Sequence, residues 1–173
     1  MILLLNLRAI ALCFLLLTQL PIDKNGWRGI VPLHATRTDL ERLVGSKVVR
    51  CSPDALSCLF FLDNERVFVM FADELTCRSD DATNSWRVPR GTVIEITVRF
   101  SKAMQLSDLG FDLSRFEKTL DKEFPSIAYY NNSNDGILIE SAGPETRSVT
   151  YYAASKDDNL NCKYAKDPKT VKP

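Results

Sequence analysis

The chain has 173 residues, 45% of them hydrophobic and 25% charged, and its 22 Lys and Arg residues balance its 22 Asp and Glu residues. This is the composition of an ordinary globular domain long enough to bury a core, and it excludes a disordered chain. Balanced charge without a basic run also argues against a nucleic-acid binder, which needs clustered positive charge to displace counterions from phosphates.

Met1 to Leu20 carries only Arg8 as a charge, and the apolar stretch Ala9 to Leu17 fits the h-region of a signal peptide. It is shorter than the roughly 20 residues a membrane span needs. Residues 1–22 therefore read as a signal peptide or N-terminal anchor. Apolar residues precede Arg8 and no A-x-A site precedes Pro21, which leaves cleavage open. Cys13 does not fit a lipoprotein cysteine, because Leu12 before it is not small. The expected location is periplasmic or secreted, with membrane contact only through this segment. Residues 23–173 then form a single α+β domain.

Four cysteines remain, Cys51, Cys58, Cys77 and Cys162. An even number in an exported domain reads as two disulfides. A zinc site is disfavoured because no C-x2-C pair occurs and the only histidine, His34, lies far from any close cysteine pair. With Asp63-Asn64 as a hairpin turn, Cys77 falls opposite Cys51 or Cys58, leaving the other for Cys162.

In chain order, the polar linker Asp23 to Gly26 leads to Trp27-Arg28-Gly29-Ile30-Val31-Pro32-Leu33-His34. Thr38 and Glu41 form a capping box for a short first helix, with Leu40, Leu43 and Val44 as its apolar stripe and Gly45 at its C-terminal end. Leu59 to Leu62 and Val67 to Phe71 read as strands joined by a turn at Asp63 to Arg66. Both faces of that hairpin are apolar, which predicts a central position covered on each side. After the polar loop Arg78 to Ser85, Ile94, Ile96, Val98 and Phe100 alternate with Glu95, Thr97 and Arg99, the pattern of a half-buried strand.

A similar order follows. Ser114 and Glu117 form a second capping box with Phe116 and Leu120 as its stripe. Ile127 to Tyr130 and Ile137 to Glu140 read as strands about a turn at Asn131 to Gly136, and Val149 to Ala153 as a third. The expected architecture is thus a tandem α-β-β-β repeat, over residues 33–101 and 106–154. It would form one six-stranded antiparallel sheet with both helices on one face. The Lys- and Pro-rich tail beyond Leu160 is pinned at Cys162.

Several groups invite a chemical role. His34 lacks a G-x-S-x-G elbow or similar partner for a hydrolase triad. Asp73-Glu74, Asp80-Asp81 and Asp157-Asp158 lack the D-x-D-x-D-G spacing that makes oxygens converge on calcium. No Gly-rich phosphate loop occurs, and neither a metal nor a cofactor is called for. Trp86-Arg87-Val88-Pro89-Arg90 is the leading surface candidate, because Trp and Arg gain most on desolvation at binding hot spots and proline stiffens the loop. Trp27-Arg28 repeats the pair. Tyr129, Tyr130, Tyr151 and Tyr152 fall on two strands expected to be neighbours, and alternation turns two of them away from the core.

The stretch from Trp27 to Gly45, with Trp86-Arg87-Val88-Pro89 and Leu160-Asn161-Cys162, resembles a group of uncharacterised small exported bacterial proteins. Thr36 to Gly45 is also similar to the first helix of the SmpA/OmlA outer-membrane assembly lipoproteins, which share an architecture with the tandem β-lactamase inhibitory proteins. The chain lacks the lipidated cysteine of those lipoproteins. The resemblance implies a binding scaffold, and fold likeness does not transfer function. The expected function is an exported protein-binding or scaffold domain, inhibitor-like in the use of its sheet face or Trp86 loop. The alternative is an envelope hydrolase using carboxylates such as Glu95 or Glu140.

Overall fold

The computed structural model describes residues 26–45, 49–62, 64–73 and 86–162. The leader, Asp63, Cys77, the polar loop at 78–85 and the tail beyond Cys162 lie outside the described residues.

Helix α1 (Arg37–Val44) is the one α-helix among the described residues. It begins two residues earlier than Thr38 and Glu41 suggest. Its N-cap is Thr36, whose hydroxyl accepts from the Asp39 N–H while the Asp39 carboxylate accepts from the Thr36 N–H, a reciprocal box with aspartate in the glutamate position. Gly45 ends it as expected, at φ 63° with its N–H on the Glu41 carbonyl. Leu40 and Val44 are buried, and that stripe rather than propensity holds so short a helix.

Eight strands follow: β1 (Val49–Cys51), β2 (Ser57–Phe61), β3 (Glu65–Phe71), β4 (Val93–Gln105), β5 (Glu117–Leu120), β6 (Ile127–Asn132), β7 (Ile137–Ala142) and β8 (Glu145–Tyr151). They form one antiparallel sheet in the order β1-β2-β3-β4-β8-β7-β6-β5, two four-strand meanders joined where β4 meets β8. The sheet has eight strands rather than six because β1 and β5, only three and four residues long, add an edge to each meander. Neither edge shows the apolar alternation by which a strand is read from sequence.

The second helix does not form. Leu113–Arg115 is a 3-10 turn whose cap is Asp112, accepting from the Ser114 N–H at 3.1 Å, and Glu117–Leu120 is strand β5 with every residue exposed. The Ser-x-x-Glu spacing was therefore misleading: Phe116 packs against the core but Leu120 keeps 58% of its surface exposed, so the two do not form a buried stripe that would stabilise a helix. Among the described residues the fold is α+β, with a dominant sheet and one helix.

One sheet face carries the core. Phe60, Val67, Val69, Ile96, Val98, Val149 and Ile139 meet on it, under α1, the segment from Trp27 to Ala35 and the stretch around Leu109. Each such fully buried aliphatic side chain contributes about 2 kcal/mol of transfer free energy. A smaller cluster of Leu33, Ala72 and Val88, with Trp86, Ile94 and Leu160 packed against it, closes one end. Ile94 reaches that cluster because the β3–β4 register shifts between Met70 and Phe71, which breaks the simple alternation expected of Ile94.

Cys51 and Cys58 face each other across β1 and β2 and are disulfide-bonded. This overturns the expectation that Cys77 bonds one of them. The hairpin that decides the pairing runs from β1 to β2, through the turn at Ser52 to Leu56, and was not anticipated. Cys162 is also disulfide-bonded, to a partner outside the described residues.

Candidate functional site

The two Trp-Arg pairs lie in different clusters and at different ends of β3. Trp27 is buried, packs in the main core and donates its indole N–H to Glu65 at 3.1 Å. Arg28 sits 5.1 Å from the Trp27 ring and bonds the same Glu65 carboxylate at 3.1 Å. Arg28 and Gly29 both have positive φ, at 51° and 83°, so Trp27 to Ile30 closes as a tight turn. Trp86 instead bridges to Asn161 and packs, half-buried, in the small end cluster. Arg87 is exposed, its backbone N–H on the Leu160 carbonyl at 2.8 Å, and Arg90 stands 3.8 Å from Asp73.

The surface that strand alternation points away from the core differs from the expectation. Leu59, Phe68, Thr97 and Thr150 form one row across β2, β3, β4 and β8, and Phe61, Arg66, Arg99 and Ser148 form the next. No described element covers this face, and Phe68 and Met70 each keep 37% of their surface exposed. The β2–β3 hairpin is thus apolar on two faces and packed on one. Leu59, Arg66, Phe68, Thr97 and Arg99 line a shallow depression of about 390 Å³ there. An aromatic ring held open beside two guanidinium groups, with a thioether further along the strand, is a surface suited to recognition.

Sequence reading singled out neither Arg66 nor Arg99. The signal it could have used is Phe68 and Met70, large apolar residues on the strand phase opposite to Val67, Val69 and Phe71.

The tyrosines divide between the faces. Tyr130 and Tyr151 join the core, while the Tyr129 hydroxyl bonds Asp121 at 3.1 Å and the Tyr152 hydroxyl bonds Asn131 at 2.5 Å. Strand β7 separates β6 from β8, so the two tyrosine strands are not the neighbours they were expected to be.

Glu95 and Glu140 both occupy the uncovered face but do not converge. Strand spacing places them about 16 Å apart, two strands and four residues removed. Glu140 is held by Arg147 at 3.7 Å and by the Ser148 hydroxyl at 3.4 Å. Burial pushes the Glu95 carboxyl above its usual range, against a hydrogen bond from Thr97. His34 joins the chain's two ends: its Nε2 lies 3.0 Å from the Asp157 carboxylate, and Asp157 is buried in the 3-10 turn Ser155–Leu160. No serine or cysteine is hydrogen-bonded to that pair among the described residues.

No group of three or more His, Cys, Asp and Glu side chains gathers as a metal site among the described residues. No described helix is long and apolar enough to cross a membrane. Comparison with protein families, with curated proteins and with solved structures gave no match to this chain.

Proposed function

We propose that this chain is an exported, disulfide-bonded binding domain that engages another envelope or extracellular protein through the uncovered face of its sheet. The observation that carries this reading is the exposure of Phe68 and Met70, in line with Arg66 along β3, on a strand whose opposite face buries Val67, Val69 and Phe71. An eight-strand sheet fixes the backbone that presents these side chains, which limits the ordering cost at binding to the side chains themselves. The apolar segment Ala9 to Leu17 and the bonded cysteines support export.

The same reading takes the two meanders as tandem repeats over residues 33–101 and 106–154, with 3-10 turns replacing the helix in the second. The symmetric strand order about the β4–β8 seam supports it. So does the resemblance of Thr36 to Gly45 to a family of tandem scaffolds, as an analogy of architecture.

Affinity capture from native envelope and culture fractions tests the reading, with the oxidised full chain as bait. A stoichiometric protein partner is expected with the wild type and lost with Phe68→Asp, while the melting temperature stays within about 3 °C because Phe68 is on the surface. Capture that survives Phe68→Asp but fails with Trp86→Ala would move the site to the loop. No partner in any fraction would refute a protein-binding role.

A further inference from the structure

Arg66 and Arg99 stand directly opposite each other on β3 and β4. Like charges at directly opposed positions repel. Among the described residues neither arginine makes an ion pair or side-chain hydrogen bond. The carboxylates nearest in register are engaged or remote. Glu65, next to Arg66, points to the other face and accepts from Trp27 and Arg28. Glu140 lies in the row of Arg99 but beyond Ser148, and Arg147 holds it. Glu95 is four residues along β4 from Arg99, about 13 Å away.

Along β3 from the pair the outward side chains are apolar, with Thr97 and Glu95 opposite them on β4. Phe68 follows Arg66 by two residues on the same face and Met70 follows Phe68 by two more. Side chains two apart on a strand are separated by roughly 7 Å. The face therefore presents a cationic point and two apolar points in a line, at the side-chain repeat of an extended peptide.

From this line of groups we infer that Arg66 and Arg99 form a fork for a carboxylate on an extended segment of a partner protein. The segment carries an acidic residue, an apolar residue two positions away and a second apolar residue two positions further. The inference rests on the sheet-face reading above and names the chemistry of its partner. Two guanidinium groups match the planar carboxylate with paired N–H donors, and Phe68 and Leu59 thin the water around them, which strengthens the contact. An inorganic anion would satisfy the two charges and leave Phe68 and Met70 unused. A segment with the stated spacing uses all four residues.

The test is a titration of the full oxidised protein, followed by NMR of backbone amides and arginine Nε–H groups. The probe is the peptide acetyl-Glu-Thr-Phe-Thr-Leu-amide, together with its reverse-order counterpart, since either direction places the same side chains in line. The better of the two shifts Arg66, Phe68, Met70 and Arg99, and replacing its Glu by Gln weakens binding about tenfold. The double variant Arg66→Gln/Arg99→Gln binds the Glu and Gln peptides equally. Its melting temperature does not fall, because the substitution relieves a repulsion. Equal affinity of the wild type for both peptides would overturn the fork. So would tighter binding of inorganic phosphate, or of phosphatidylcholine vesicles doped with phosphatidylglycerol, than of the peptide. The Phe68→Asp variant separates the two readings. If the wild type shows no Glu preference but this variant still abolishes peptide binding, only the fork falls. If Phe68→Asp leaves binding unchanged, the sheet-face site falls with it.

Discussion

Asp39 accepts from both the hydroxyl and the backbone N–H of Thr36, and its carboxyl is held below the usual 3.8 chiefly by that hydroxyl. Asp54 is lowered by the Ser52 hydroxyl and the Leu56 N–H, and Asp121 by the N–H groups of Phe124 and Glu123. A carboxyl with a depressed folded pKa contributes stability that is complete above its unfolded value and is lost as pH falls through the folded value. The protein should therefore lose stability on acidification below about pH 4, and Asp39→Asn should flatten that loss. Glu95 works in the opposite sense, because burial raises it above 4.5 and favours its neutral form in the folded state. Its ionisation weakens the fold as pH rises through that raised value. Thermal melts of Glu95→Gln should then show a gain in melting temperature near pH 7 that vanishes near about pH 4. An equal gain at both pH values would mean that packing, not charge, limits this position. None of these signs was legible from sequence: Asp39 is the residue right after the Thr38 on which the box was placed, and the half-burial of Glu95 depends on strands far from it in the chain.

The element scale shows where local spacing was sufficient and where it was not. Gly45 was read correctly as the end of α1, since a left-handed residue after a short apolar stripe is a local requirement. Ser114 and Glu117 have the same spacing as a helix cap and form none, because a cap cannot hold a helix that lacks a buried stripe. The disulfide belongs to this scale as well. Cys51 and Cys58 close a short loop, with a sequence separation of 7, and the Arg37 guanidinium braces that loop through the Ala55 carbonyl and the Cys58 sulfur. A Cys51→Ala/Cys58→Ala variant should cost about 2 kcal/mol, measured as a lower urea midpoint. The loss is one of global stability, so the slowest β7 amides should lose protection by the same amount, and unchanged protection there would confine the effect to the β1–β2 edge.

Across the whole molecule, two meanders share a single seam between β4 and β8. Deeply buried strand residues such as Val67, Val69, Ile96, Ile139 and Val149 lie on or next to that seam, whereas every residue of β5 is exposed. Amide hydrogen exchange should therefore be slowest at Ile96, Val98, Val149 and Ile139, with opening free energies near the global value, and fastest in β5. Faster exchange at the β4–β8 seam than within either meander would mean that the halves open independently. The proposed binding face depends on the same architecture, since Arg66 and Arg99 meet only through the β3–β4 pairing and Phe68 is open only because the cover lies on the other side.

By itself the sequence determined the α+β class, the existence of α1, the β2–β3 hairpin, β6, β7 and the central part of β4. These elements follow from local periodicity, turn residues and a cap, each acting within a few positions. It also marked the cysteines as a disulfide set, but it paired Cys77 with Cys51 or Cys58, which the Cys51–Cys58 bond overturns. Tertiary structure alone decided the Cys51–Cys58 pairing, the two edge strands, the failure of the second helix and the separation of Trp27 from Trp86. It alone decided that the hairpin with two apolar faces is packed on one and open on the other. Burial is a property of what lies across the core, and no window of neighbouring residues carries that information.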